Sequence, residues 1–136
     1  MACLDTSALL DLLDRGGRGR RDRARELLRR LQAAGETFAT TRFTIAELWV
    51  GIERAREPAR EQARVESVLD DLQLLEFDEV GARIFGKIPA FLQKRGISAG
   101  DMDVLIASVS LAHGHSLVTR DMKHFSRIPG LAIEGY

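Results

Sequence analysis

A few carboxylates in this chain stand where carboxylates are uncommon. Asp5 closes the apolar run Met1–Leu4, and Asp121 follows the apolar stretch Ser116-Leu-Val-Thr119. Glu47 lies inside Ile45-Ala-Glu-Leu-Trp49, with Val50 and Gly51 three and four residues on. Asp101 and Asp103 stand where a glycine-bounded loop enters an apolar helical stretch. Carboxylates brought close raise one another's pKa and cannot all stay ionised without compensation. A divalent cation removes that conflict, and hard oxygen ligands suit Mg²⁺ or Mn²⁺. Zinc does not compete, because the single Cys3 and three scattered histidines lack ligand spacing. His113 and His115 flank Gly114 as surface residues at a helix end, and His124 reads as a solvated loop histidine.

Each acid also has a plainer use. Asp5 is a favoured helix N-cap residue. Asp101 and Asp103 complement the positive end of a helix dipole. Asp121 is a turn former, and most glutamates point to solvent. Which use holds depends on the elements that carry them. Ala2–Leu4 predicts a short buried strand, followed by a helix over Ser7–Leu13 capped by Thr6 or Ser7. The glycine-rich segment Arg15–Arg21 predicts a flexible loop. Ala24, Leu27, Leu28 and Leu31 recur at helical spacing, and Gly35 ends that helix. Short strands are expected at Thr37–Ala39, at Leu74–Phe77, at Ser116–Thr119 and, as a final edge, at Leu131–Ile133. Helices are expected around Thr44–Ile52, around Val65–Leu72 after Pro58, over Glu79–Lys94 with a kink near Pro89, and over Asp103–His113. Strands alternating with helices argue for a parallel α/β sheet, whose ligands gather at the strands' carboxyl ends.

The bulk composition sets wide bounds. A chain of 136 residues predicts a single domain over 1–136. Its 20 basic and 20 acidic residues cancel, so net charge names no polyanionic partner. A lone cysteine forbids an intrachain disulfide and fits a reducing cytoplasm. No apolar stretch approaches the ~18–20 residues that span a bilayer. No signal peptide and no membrane association are expected.

Four segments, in order, resemble the PIN-domain ribonucleases, and within them the VapC-type toxins of bacterial toxin–antitoxin pairs. They are Leu4-Asp-Thr-Ser-Ala-Leu, Thr44-Ile-Ala-Glu-Leu-Trp-Val-Gly, Asp103-Val-Leu-Ile-Ala-Ser and Leu117-Val-Thr-Arg-Asp-Met-Lys-His-Phe. The resemblance covers nearly the whole chain. It implies a three-layer α/β/α sandwich with a central, mainly parallel sheet. It implies Mg²⁺- or Mn²⁺-dependent cleavage of RNA, leaving 5′-phosphate and 3′-hydroxyl ends. Asp5, Glu47, Asp103 and Asp121 match the family's catalytic, metal-binding acids. Thr6 and Thr119 match hydroxyls that orient carboxylates or waters. Asp101 is either a further metal contact or a cap. Ser108 departs from the family's usual Ala at a position without chemistry.

The resemblance also implies a homodimer and a cognate antitoxin whose tail fills a groove near the acids, beside the Thr44–Glu57 helix. Eight arginines stand between Arg15 and Arg30 against Asp22 and Glu26. Arg18, Arg20 and Arg21, with Arg120 and Lys123, are candidate RNA-phosphate contacts, because arginine's planar fork binds phosphate bidentately. The same arginine-rich stretch also suits plain solvation or an acidic antitoxin. A receiver-type signalling domain lacks support, since the mid-chain acid Glu47 falls in a helix. A non-catalytic PIN-like binding module is the remaining alternative.

Overall fold

The computed structural model describes residues 1–15 and 17–136. Five short strands, β1 (Ala2–Leu4), β2 (Phe38–Thr41), β3 (Gln73–Leu75), β4 (Ser116–Thr119) and β5 (Ile133–Gly135), form one sheet in the order β3-β2-β1-β4-β5. Every pairing is parallel, so the sheet is wholly rather than mainly so. Around it lie α1 (Thr6–Leu12), α2 (Arg18–Ala33), α3 (Arg42–Glu53), α4 (Pro58–Leu69), α5 (Glu79–Gln93), α6 (Asp101–Ala112) and α7 (Met122–Phe125).

Strand alternation sorts the core into two layers. Cys3, Ala39, Leu75 and Leu117 face one way and pack with Ile88 and Leu92 of α5 and Val104, Ile106 and Ala107 of α6. Ala2, Leu4 and Val118 face the other way, against Ala8 and Leu9 of α1, Leu27 of α2, Leu48 and Ile52 of α3 and Val65 of α4. The result is the expected α/β/α sandwich. β1 is buried throughout, as a central parallel strand covered on both faces must be.

The strand order creates the crevice. From β1 the chain builds outward through β2 and β3, then returns to the other side of β1 for β4 and β5. The carboxyl ends of β1 and β4 therefore flank the point where winding reverses, the place where open α/β sheets hold ligands. Asp5 and Asp121 both emerge there.

Several sequence expectations need correction. The cap of α1 is Asp5, which accepts from the Ala8 N–H; Thr6 and Ser7 belong to the first turn and turn their hydroxyls elsewhere. The segment expected as a loop over Arg15–Arg21 is helical from Arg18, except that Gly16 lies outside the described residues. Gly17, at φ 95°, takes the N-cap position in a conformation that only glycine adopts cheaply. The sixteen-residue helix, anchored by Ala24 and Leu27, then carries the ~1 kcal/mol cost of Gly19. β2 and β5 each lie further along the chain than Thr37–Ala39 and Leu131–Ile133, and Phe77 lies beyond β3. The expectation that Asp101 caps α6 fails: Gly100 is the N-cap, and no side chain bonds there.

Candidate metal centre

Asp5 is held on every side. The last residue of β1 pairs with Val118, and the Asp5 N–H continues that ladder to the Val118 carbonyl at 3.1 Å. This register sets Asp5 against Thr119, whose hydroxyl donates to Oδ2 at 2.6 Å. Ser7 Oγ donates to the same carboxylate at 2.8 and 3.0 Å, and the Ala8 N–H donates to Oδ1 at 2.8 Å. The residue is only 3% exposed. Burial pushes its carboxyl up to about 6; the Thr119, Ala8 and Ser7 donors oppose that rise, and the Asp103 charge adds to it. Asp5 is thus a helix cap whose carboxylate also meets Thr119 at the end of β4, so capping and a site role do not exclude each other.

Asp121 and Glu47 are tied to it through single hydroxyls, and Asp103 acts on it through its charge. Asp121 donates its backbone N–H to Thr119 Oγ1 at 2.9 Å, so one hydroxyl joins both strand-end acids. Its carboxylate caps α7 through the His124 N–H at 3.4 Å and meets His124 Nδ1 at 2.5 Å. Half-buried Asp103 is raised above the usual carboxylate value by burial and by the Asp121 charge, with His124 pulling the other way. Glu47, half-buried on α3, accepts from Thr6 Oγ1 at 2.5 Å, tying it to the residue after Asp5. Asp101 stands apart. It is exposed in the first turn of α6 and lines a separate cavity of about 280 Å³ with Pro89, Leu92 and Ile97. His124 is exposed as expected, yet it sits in a short helix and bonds Asp121 rather than water alone.

Sequence reasoning missed Asp11. It is fully buried on α1, where its carboxylate takes Arg120 Nη1 at 2.7 Å and the Tyr136 hydroxyl at 2.8 Å. The available signal was the one used for Glu47: an acid flanked by leucines on both sides, here Leu9-Leu-Asp-Leu-Leu13. Of the arginines proposed for RNA, Arg18 and Arg20 are exposed at the start of α2, and Arg21 approaches Asp14 at 3.5 Å. Lys123 is exposed on α7, while Arg120 is half-buried against Asp11. A further basic surface opens beside α4, where Arg54, Arg56 and Arg60 line a cavity of about 450 Å³ together with Arg15 and Arg64. Buried Glu61 holds Arg15 and Arg64 there.

Whether the crevice suits a cation is a matter of donor chemistry. Among the described residues, no three His, Cys, Asp or Glu side chains form a ready-made cage. Mg²⁺ does not need one, since it keeps several waters and is bound through one or two carboxylates plus substrate phosphates. The donors here are hard oxygens. The only thiol, Cys3, is buried in β1 and pushed up to about 12 by that burial, which removes it as a soft ligand. Asp5 and Asp103, each raised chiefly by burial and further by a neighbouring carboxylate (Asp103 for Asp5, Asp121 for Asp103), are the imbalance a divalent cation offsets. The residues therefore fit Mg²⁺ or Mn²⁺.

Residues 2–131 match the family model for the PIN domain. Ribonuclease VapC2 of Haemophilus influenzae is 30% identical over 133 residues, covering 98% of this chain and 96% of the relative. The tRNA(fMet)-specific endonuclease VapC of Salmonella typhimurium is 35% identical over 94 residues, covering 69% of this chain and 71% of the relative. Among solved structures, VapBC2 from Rickettsia felis, bound to a promoter DNA fragment, superposes with a TM-score of 0.86 at 26% identity, covering 99% of this chain and 98% of that one.

Proposed function

The chain belongs to the PIN-domain family, and on that footing we propose that it is a metal-dependent endoribonuclease, the toxin of a VapC-type toxin–antitoxin pair. It hydrolyses RNA phosphodiester bonds in the crevice at the carboxyl ends of β1 and β4. One observation carries this reading. The Thr119 hydroxyl donates to Asp5, 114 residues away in the chain, while accepting from the Asp121 N–H. Acids from the two ends of the sequence thereby share one edge, beside half-buried Asp103 and Glu47.

Asp5, Asp103 and Asp121 are the proposed holders of Mg²⁺ or Mn²⁺, with Glu47 completing the acidic set. A bound divalent cation supplies Lewis-acid polarisation of the phosphate and lowers the pKa of a water. The protein supplies orientation. Thr119, Ser7 and the Ala8 N–H fix both oxygens of Asp5. Thr6 engages Oε1 of Glu47, leaving Oε2 to accept a proton from the attacking water. His124 holds Oδ2 of Asp121. Arg18, Arg20, Arg21 and Lys123 are proposed to attract the RNA backbone, and Arg120 stands at the site's edge.

An antitoxin partner follows from the same reading. A groove of about 340 Å³ is lined by Leu10, Leu13, Leu48 and Val65, with Arg15 and Arg54 among its polar residues. It suits an apolar peptide with acidic flanks. Exposed Trp49 and Val50 on α3 offer apolar surface for a second copy of the chain. No helix among the described residues is long and apolar enough to cross a membrane, and a cytoplasmic setting fits an RNA target. The test is to incubate the protein with total RNA, tRNA(fMet) included, and to sequence the new ends. Cation-dependent 5′-phosphate ends that vanish with Asp5→Asn are expected. Identical ends from that variant would overturn the assignment.

A further inference from the structure

Buried Asp11 has no part in the chemistry just described, yet it touches the turn that presents Asp121. Ser7 and Asp11 stand four residues apart on α1 and so share one face. Both reach Arg120. Ser7 Oγ accepts the Arg120 backbone N–H at 3.1 Å, and Asp11 Oδ1 accepts from Arg120 Nη1 at 2.7 Å. Tyr136 closes on the other carboxylate oxygen of Asp11 at 2.8 Å. The residues on either side of Arg120 are also fixed: Thr119 by Asp5, Asp121 by Thr119.

The end of β5 supports this grip from outside. Thr119 pairs with Gly135, which brings Tyr136 over Asp11. Gly135 allows the approach, because a Cβ there would lie 1.8 Å from Met122 Sδ, in the helix that follows Asp121. A charge on α1 that is 0% exposed is costly unless paired and hydrogen-bonded. Asp11 has both kinds of partner, and both come from the chain that frames the acid edge.

We propose that Asp11 and Tyr136 are positioning residues for the cleavage site: together with Ser7 they hold Arg120 at its backbone and its side chain, and thereby fix the Thr119–Asp121 turn and the placement of Asp121. This rests on the ribonuclease reading, but half of its test does not. Arg120 in this role is a half-buried intramolecular anchor; it is not chiefly a phosphate contact.

The full chain is compared with Asp11→Asn, Arg120→Lys and Tyr136→Phe. Two readouts are taken on each: the MnCl₂ midpoint from the cation-induced rise in melting temperature, and kcat and KM on a cleaved RNA. Weakening of the Arg120–Asp11 ion pair is expected to raise the Mn²⁺ midpoint about five-fold or more in Asp11→Asn and Arg120→Lys. It is expected to lower kcat about ten-fold or more with KM within two-fold, since small misplacements at a reacting centre are costly. Tyr136→Phe removes one hydrogen bond and keeps the ion pair, so it shifts both quantities the same way by about two- to five-fold. Wild-type kcat and Mn²⁺ midpoint in folded Asp11→Asn would refute the proposal. So would losses confined to KM and its salt dependence in Arg120→Lys, which mark a phosphate contact. If Asp11→Asn does not fold, Tyr136→Phe decides by the same measures, and wild-type values refute. If the wild type cleaves no RNA, the ribonuclease reading fails, while the Mn²⁺ midpoints still decide the positioning role.

Discussion

Asp5 concentrates the electrostatic tension of this protein in one side chain. Its carboxyl rises from the usual 3.8 to about 6, chiefly through burial. Between those values the folded protein binds more protons than the unfolded chain, so stability falls as pH rises through that window. Asp5→Asn removes the buried charge and keeps an oxygen for the Ala8 N–H. It should therefore raise the melting temperature without added cation by about 3–6 °C at pH 7.5, a gain that disappears near pH 4, as thermal denaturation at the two pH values can check. The same variant should be inactive. A cation must displace the Asp5 proton, so Mn²⁺ affinity should weaken as pH falls below about 6, which calorimetric titration at pH 5 and pH 7.5 can follow.

Thr119 is the other decisive residue, since its hydroxyl donates to Asp5 and accepts from Asp121. Thr119→Val keeps the shape but removes that donor and acceptor, and the position is fully buried. Unfolding by urea should show a loss of about 1–3 kcal/mol, accompanied by a marked fall in RNA cleavage. The motif around Thr119 was legible in the sequence through the family resemblance, including a hydroxyl that orients a carboxylate. The Asp11–Arg120–Tyr136 cluster was not. Arg120 and Tyr136 lie 109 and 125 residues from Asp11, and no local pattern announces pairings that arise from α1 lying on β4 and from the β4–β5 register.

At the scale of elements, strands and long helices were readable because their periodicity and capping residues are local. The strand-end positions of Asp5 and Asp121 followed from short apolar runs. What escaped was set by long-range packing. α2 extends back to Arg18 despite its glycine because Ala24 and Leu27 bury against the sheet. α7 has only four residues, too few for a periodic signal, and owes its start to the Asp121 cap. α3, which carries Glu47, begins at fully buried Thr41, whose hydroxyl accepts the Thr44 N–H at 3.0 Å. Thr41→Ala should cost about 1–2 kcal/mol in urea unfolding and lower activity by loosening that helix start. Ser108 on α6 instead bonds its own helix at the Val104 carbonyl, 2.6 Å away. Ser108→Ala leaves no donor stranded, so stability should change by no more than about 0.5 kcal/mol, with cleavage retained.

For the whole molecule, topology does what no single segment does. An all-parallel sheet in the order β3-β2-β1-β4-β5 places the first and fourth strands side by side. Residues far apart in the chain thus arrive at one edge. Basic charge is concentrated locally as well: arginines crowd α2 and the α3–α4 surface. RNA affinity should accordingly fall steeply with added salt, with a slope that shallows when Arg18 and Arg20 are both replaced by alanine, as filter binding at several salt concentrations can measure.

The most direct test of this account is calorimetric titration of MnCl₂ into the wild type and into Asp5→Asn, Asp103→Asn and Asp121→Asn, each first shown to be folded. Acids that converge on one cation should give a single binding event in the wild type, weakened about ten-fold or more by each replacement. Wild-type affinity in all three variants would mean that these carboxylates do not share a metal, and would contradict the account at its centre.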